Sequence, residues 1–385
     1  MTTTFESQRT ALADVVAIPV TPFAEDGRVD QDAHRALLRR LLDGGVTTLT
    51  PEERRLVTEL TVDEVGDRAA ILVGVGHDVP SAVASARHAR ELGAQMVMVH
   101  QPVHPYVSQS GWVDYHRAIA EAVPELGVVP YIRNAQLTGA RLAELGAACP
   151  NVIGVKYAVP DAARFAAFAR DAGRDRFVWV AGLAEPYAPS YFSAGATGFT
   201  SGLVNVAPSV SLNMIEALRS GDYPAAMKVW EQIRRFEELR AANGSANNVT
   251  VVKEALASLG LCRRDVRPPS RELPESERAE VTGMPRGGDG GGHVVADADE
   301  DRGAVAGLLE GQLGDETPLG GGEGVELAGV AVRGEGGDPA VEQPAQQGPV
   351  GGPVDGAVLG ERGHRDGHHV GQGRTLGLER HAAHS

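Results

Sequence analysis

Between positions 15 and 200 the chain alternates eight times between a short apolar run and a longer segment, and few architectures accommodate that order. The apolar runs fall at residues 15–20, 46–50, 70–75, 96–100, 127–131, 152–157, 177–181 and 196–200. Each is continuous rather than alternating, as parallel strands covered on both faces require. Helical patterns lie between them at 31–43, 51–67, 80–92, 112–123, 139–148, 161–172 and 186–193. This order predicts a closed (β/α)8 TIM barrel over residues 1–205, an α/β fold. An open doubly wound sheet would offer a glycine-rich phosphate turn after its first strand, whereas Pro19-Val20-Thr21-Pro22-Phe23 stands there. Three further helical patterns, 209–218, 223–240 and 250–259, predict a C-terminal helical region spanning 206–281.

Composition changes abruptly after Val281. The stretch from Gly283 onward holds 28 of the 48 glycines and none of the 18 aromatic residues. It carries 17 acidic against 7 basic side chains, which is 10 of the 15 net negative charges. The remainder is therefore only mildly acidic. So glycine-rich a segment cannot build a core, and 282–385 is expected to be a disordered tail. Lys, Asn, Ile, Phe and Tyr, the residues of AT-rich codons, are absent from it, as reading GC-rich DNA in a wrong frame would give. The alternative is a functional disordered tail. Five histidines near its end (His364, His368, His369, His381, His384) lack a scaffold that would hold them around a metal.

No apolar run approaches the roughly 18 residues that span a bilayer. The first residues lack the basic and apolar regions of a secretory signal, so a soluble, cytoplasmic protein without nucleic-acid or membrane partners is expected. Cys149 and Cys262 provide neither a disulfide framework nor, alone, a zinc site.

Barrel active sites sit at the carboxyl ends of strands, so the last residues of each run carry the chemistry. Lys156, one of only three lysines, stands near the end of the run 152–157. A lysine inside a barrel must be paired, neutral or reactive, and a desolvated amine is a Schiff-base nucleophile toward carbonyls. A lysine snorkelling out of the strand end is the competing reading. Tyr131 ends the preceding run, where a phenol beside an imine-forming lysine could shuttle protons. It could equally be an aromatic packing plug.

These residues resemble those of the dihydrodipicolinate synthase and N-acetylneuraminate lyase family. The resemblance rests on the opening strand and turn at 16–30, on Tyr131, on Pro150-Asn151-Val152-Ile153-Gly154-Val155-Lys156, and on the segment 194–202. It covers about residues 12–281. It implies a class I lyase or aldolase of 2-keto acids, with Lys156 forming the imine and Tyr131 relaying protons. It also implies no metal or organic cofactor and assembly as a homodimer or homotetramer, with the C-terminal helices a reasonable place for subunit contacts.

Three departures from the family pattern stand out. The run 46–50 leads directly into Pro51-Glu52-Glu53-Arg54-Arg55, without the Gly-x-Thr-Gly-Glu turn that holds the substrate carboxylate in such enzymes. The resemblance implies that about a dozen residues are missing there. Thr47, Thr48 or Thr50 could partly substitute, or be ordinary β-branched strand residues. After Tyr131 the chain reads Ile132-Arg133-Asn134-Ala135, unlike the lysine-biosynthesis enzymes, and Tyr157 follows Lys156 where an acidic residue is common. The segment 181–186, ending in Glu185-Pro186, looks closer to the sugar-acid branch, such as 5-dehydro-4-deoxyglucarate dehydratase. Arg133, Asn134 and Glu185 are then candidates to bind hydroxyls or a distal carboxylate, or else are surface loop residues. The abrupt tail is the third departure. A sugar-acid dehydratase or aldolase is the first expectation. 4-Hydroxy-tetrahydrodipicolinate synthase activity is the second, and a barrel inactive for want of the turn the third.

Overall fold

The structure, a computed structural model, describes residues 5–41, 49–102, 104, 106–282 and the backbone of 328–331; for 39–41 it describes the backbone only. Seven strands form a parallel curled sheet: β1 (Val15–Ala17), β2 (Ala70–Val75), β3 (Met96–Val99), β4 (Gly127–Ile132), β5 (Gly154–Tyr157), β6 (Val178–Ala181) and β7 (Gly198–Ser201). Neighbours in sequence are neighbours in the sheet from β2 to β7, and β7 pairs with β1. An eighth strand, β8 (Ala328–Ala331), closes the ring between β1 and β2 and runs antiparallel to both.

The barrel is the one the alternation predicts, with one exception. Of the expected strand 46–50, residues 46–48 lie outside the described residues, while Leu49 and Thr50 are not in a strand. Thr50 instead caps helix α3 (Pro51–Val65): its hydroxyl accepts from Glu53 N at 3.2 Å, and Thr50 N donates to the Glu53 carboxylate at 3.0 Å. Two orphan amide donors are thereby satisfied, and Pro51 favours the first helical position. The glycine-rich tail otherwise lies outside the described residues, its histidines included.

Alternate positions on each strand feed two separate cores. Val15, Ala17, Val73, Val97, Val128, Val155 and Trp179 face the surrounding helices. Val16, Leu72, Met96, Met98, Val129 and Val180 fill the barrel interior. Both faces are apolar, which is why the sequence runs do not alternate.

The helical layer comprises α2 (Gln31–Leu41), α3, α4 (Val79–Leu92), α5 (Gln109–Ala122), α6 (Gly139–Ala148), α7 (Ala162–Ala172) and α8 (Ala184–Ser193). Asp78 and Asp161 cap α4 and α7 by accepting from Ser81 N and Arg164 N, each at 2.8 Å. Beyond the barrel, α9 (Pro208–Arg219), α10 (Tyr223–Ser245), α11 (Asn248–Ser258) and α12 (Glu275–Thr282) form the C-terminal helices, with α10 packed against α8, α9 and α11. The predicted helix 223–240 runs on into non-helical backbone at Ala242, Asn243 and Gly244.

Two elements are absent from the sequence reading: β8, which lies in the stretch expected to be a disordered tail and pairs there with β1 and β2, and a first helix. Helix α1 (Glu6–Leu12) lies across the amino-terminal end of the barrel. Leu12 is fully buried and joins the interior core. Two glycines make room for it: a Cβ on Gly154 would lie 2.9 Å from Leu12 Cδ1, and one on Gly198 would lie 2.3 Å from the Leu12 carbonyl oxygen. Arg9 fastens the helix by donating to the Arg176 carbonyl at 3.1 Å.

Candidate active site

The pairing of β4 with β5 makes Tyr131 and Lys156 register partners at the carboxyl ends of adjacent strands. Lys156 is only 8% exposed, and its Nζ lies 4.3 Å from the centre of the Tyr131 ring. An ammonium over an aromatic face is attracted by the ring quadrupole, which partly offsets the desolvation of the lysine. The sequence-predicted pair is thus brought together in contact. Gly182, following β6, leaves the space that the lysine stem uses: a Cβ there would lie 3.0 Å from Lys156 Cγ.

A third side chain completes the row. His100 follows β3, and its ring meets Tyr131 edge to face with centroids 5.5 Å apart. Its Nε2 is enclosed and has no hydrogen-bond partner among the described residues; Gln101 Oε1 is in the same condition. Burial above all, then the charges of Lys156, His77 and Arg133, lowers the His100 pKa to about 4, so the imidazole is neutral at neutral pH. The rule that singled out Tyr131 and Lys156 applies equally to His100, the last residue of its predicted strand, but the sequence reading did not follow it there. Beside His100, His77 holds a positive φ of 73°. Its Nε2 lies 2.7 Å from Arg54 Nη1, and its carbonyl accepts from the Tyr115 hydroxyl at 3.1 Å.

The remaining predicted positions are more dispersed. Arg133 is exposed just past β4, close enough for its charge to be felt at His100. Asn134 spends its side-chain oxygen on a local turn, accepting from Gln136 N at 2.8 Å. Thr47 and Thr48 lie outside the described residues. Thr50 is a helix cap, as described above.

Glu185 is fully buried in the first turn of α8, where Ser201 and Ser211 both donate to its Oε1. It therefore belongs to a polar layer between the barrel and the C-terminal helices rather than to an exposed loop. Burial, reinforced by the charge of Glu237, raises its pKa to about 7 against the opposing hydrogen bonds from the serines and the charge of Arg240. Glu237 itself pairs with Arg240 at 2.6 Å, both side chains under a tenth exposed. Tyr157, the residue after the lysine, faces away from the barrel interior and packs on Phe165, Phe168 and Tyr191. Its burial in that aromatic cluster raises the phenol pKa to about 12.

Comparison with known proteins agrees with this geometry. Residues 11–284 match the model of the dihydrodipicolinate synthetase family. A 4-hydroxy-tetrahydrodipicolinate synthase from Phenylobacterium zucineum is 34% identical, over 68% of this chain and 92% of its own length. A protein from Methylobacterium radiotolerans named as a probable 5-dehydro-4-deoxyglucarate dehydratase is 31% identical, over 72% of this chain and 96% of its own. Among solved structures, dihydrodipicolinate synthase from Bacillus clausii superposes with a TM-score of 0.68 at 35% identity, covering 71% of this chain and 97% of that one. A barrel with helices at its carboxyl terminus, a lysine and a tyrosine side by side at the strand ends, and relatives matched over nearly their whole length together show that the chain belongs to the dihydrodipicolinate synthetase family of lyases.

Proposed function

We propose that this chain is a Schiff-base lyase that dehydrates or cleaves a sugar-derived 2-keto acid. The observation that carries the reading is the buried Lys156 amine beside the Tyr131 phenol. An amine at a dry strand end attacks a ketone, and loss of water from the carbinolamine leaves an iminium. The Tyr131 ring beside the amine supports a role for its phenol in carrying the protons that this dehydration moves. The iminium withdraws electrons from the adjacent carbon, whose proton then leaves to give an enamine. In 5-dehydro-4-deoxyglucarate the ketone is C5, the acidic methylene is C4 and a hydroxyl stands on C3. The enamine expels that hydroxyl, which takes up a proton and departs as water. Hydrolysis of the remaining imine returns the free lysine.

The sugar-acid reading is supported by relatives so named and by the absence, after Tyr131, of the motif common in lysine-biosynthesis enzymes. Synthase activity is the second reading, favoured by the Phenylobacterium and Bacillus relatives. The deciding experiment is incubation with pyruvate and sodium borohydride, followed by mass spectrometry. A reduced adduct on Lys156 is expected; a folded protein with no adduct would sink the proposal. Turnover of 5-dehydro-4-deoxyglucarate, against condensation of pyruvate with aspartate semialdehyde, separates the two activities. An adduct with neither turnover identifies an inactive barrel.

Assembly as a homodimer or homotetramer through the C-terminal helices belongs to the same proposal. It is supported by the exposed apolar side chains of Met227 and Val249 on α10 and α11. Sedimentation as a monomer at micromolar concentration would refute it. Among the described residues no helix is long and apolar enough to cross a membrane, in keeping with a proposed cytoplasmic location.

A further inference from the structure

The carboxyl-terminal ends of three consecutive strands, β3, β4 and β5, carry His100, Tyr131 and Lys156, and the three side chains stand in a row across the barrel mouth. Two members of this row account for imine chemistry. His100 is unused by that chemistry, and it is packed closely on the neighbouring strand: a Cβ on Gly76 would lie 3.1 Å from the His100 Cβ, tight enough that the histidine would have to give by a few tenths of an ångström. Its enclosed Nε2 and the neighbouring Gln101 Oε1 both lack hydrogen-bond partners among the described residues. Unpaired buried polar atoms are costly, and at a barrel mouth a bound ligand is one means of satisfying them.

We propose that His100 is a specificity-determining residue that hydrogen-bonds a hydroxyl of a polyhydroxylated 2-keto acid held on Lys156. The inference rests on the Schiff-base reading above and adds the substrate class that the row selects. A neutral imidazole carries one donor and one acceptor, which matches a hydroxyl, itself both donor and acceptor. A carboxylate only accepts, and the Arg133 guanidinium nearby suits it better. The depressed pKa also argues against a general acid, because the protonated form is scarce at neutral pH. Pyruvate has no hydroxyl, so its capture by Lys156 makes no demand on His100. The row therefore discriminates in one direction, since a site built to bond a hydroxyl loses most when that bond is not made.

The test compares wild type with His100→Leu and His100→Asn, using pyruvate and 5-dehydro-4-deoxyglucarate as probes. Leucine removes both hydrogen-bonding groups, while asparagine keeps a donor and an acceptor in a smaller side chain. The expected result for His100→Leu is a KM for the sugar acid raised at least about tenfold. Borohydride trapping of pyruvate on Lys156 stays within about twofold of wild type, and His100→Asn recovers most of the lost affinity. Equal changes for both probes, no change for either, or an asparagine variant as impaired as the leucine variant would overturn the proposal. Wild type without a pyruvate adduct would remove the Schiff-base reading instead. In that case the rise in melting temperature caused by the sugar acid reads His100 directly. A larger rise in wild type than in His100→Leu supports the contact, and equal rises overturn it.

Discussion

Gly182 and Lys156 are packed so closely that a single methyl group between them is excluded. A Cβ on Gly182 would lie 3.0 Å from Lys156 Cγ and 2.9 Å from the Tyr157 carbonyl oxygen, and the second of these contacts is backbone that cannot swing aside. Gly182→Ala must displace either the end of β5 or the lysine stem. A displacement near 1 Å at a reacting group costs about 10²-fold in rate. Borohydride trapping with pyruvate is expected to slow by that order. An adduct formed at the wild-type rate would show that the lysine stem does not depend on this glycine.

Replacing Lys156 by methionine separates chemistry from stability. The variant should form no adduct, since Lys253 is 1% exposed and donates to the Asp265 carbonyl, which leaves only Lys228 to be told apart by mass spectrometry. Its melting temperature should equal or exceed that of wild type, because exchanging a buried charge for an apolar side chain of similar volume is commonly neutral or stabilising. A marked fall in melting temperature would mean that the lysine is held as a structural cation rather than as a nucleophile.

Much of this could be read from residue order alone, and the exceptions have physical causes. The run ending in Tyr157 is apolar enough to mark a strand, and its one lysine is conspicuous among 33 arginines. Helix α1 is not legible in the sequence because seven residues with one fully buried leucine give no periodicity to count. Glu185 sits before Pro186 in a segment that reads as loop, and only the folded chain shows that two serines, Ser201 and Ser211, bury its carboxylate. Thr50 has the composition of a strand residue, but the Pro51 and Glu53 that follow it make a capping box, a pattern that was available in the sequence.

The Glu185 carboxyl gives stability a pH dependence of definite sign. Its folded pKa is raised to about 7 from an ordinary 4.5, so between these values the folded state holds a proton that the unfolded state has released. Stability should therefore fall as pH rises from about 4.5 to 7, and this contribution should level off above that. Glu185→Gln keeps a hydrogen-bonding side chain without the ionisation. Chemical denaturation across that window should give a flatter profile for the variant than for wild type. Parallel profiles would assign the pH dependence to other groups.

The body of the chain should stand without its tail. Every buried apolar side chain among the described residues lies between Leu12 and Val281, and β8 contributes backbone pairing over four residues. A chain ending at Thr282 is expected to keep its circular dichroism spectrum and its pyruvate adduct on Lys156. Loss of either would show that β8 is needed to complete the barrel.

Leu12→Ala tests the opposite end of the barrel. The side chain is fully buried in the interior core, and removing it should cost about 2–5 kcal/mol, read as a lower midpoint in urea. A change under about 1 kcal/mol would mean that the core collapses around the missing atoms.

That leucine also decides how matter moves through the molecule. With α1 laid over the amino-terminal end and Leu12 wedged against Gly154 and Gly198, the barrel is a vessel stoppered at its base. On the chemistry proposed above, keto acid and the water that hydrolyses the imine would reach Lys156 from the carboxyl end, and product would leave by the same opening. Entry and exit would then share one passage among the described residues, and a bulky reaction product would retard the next substrate simply by occupying the way in.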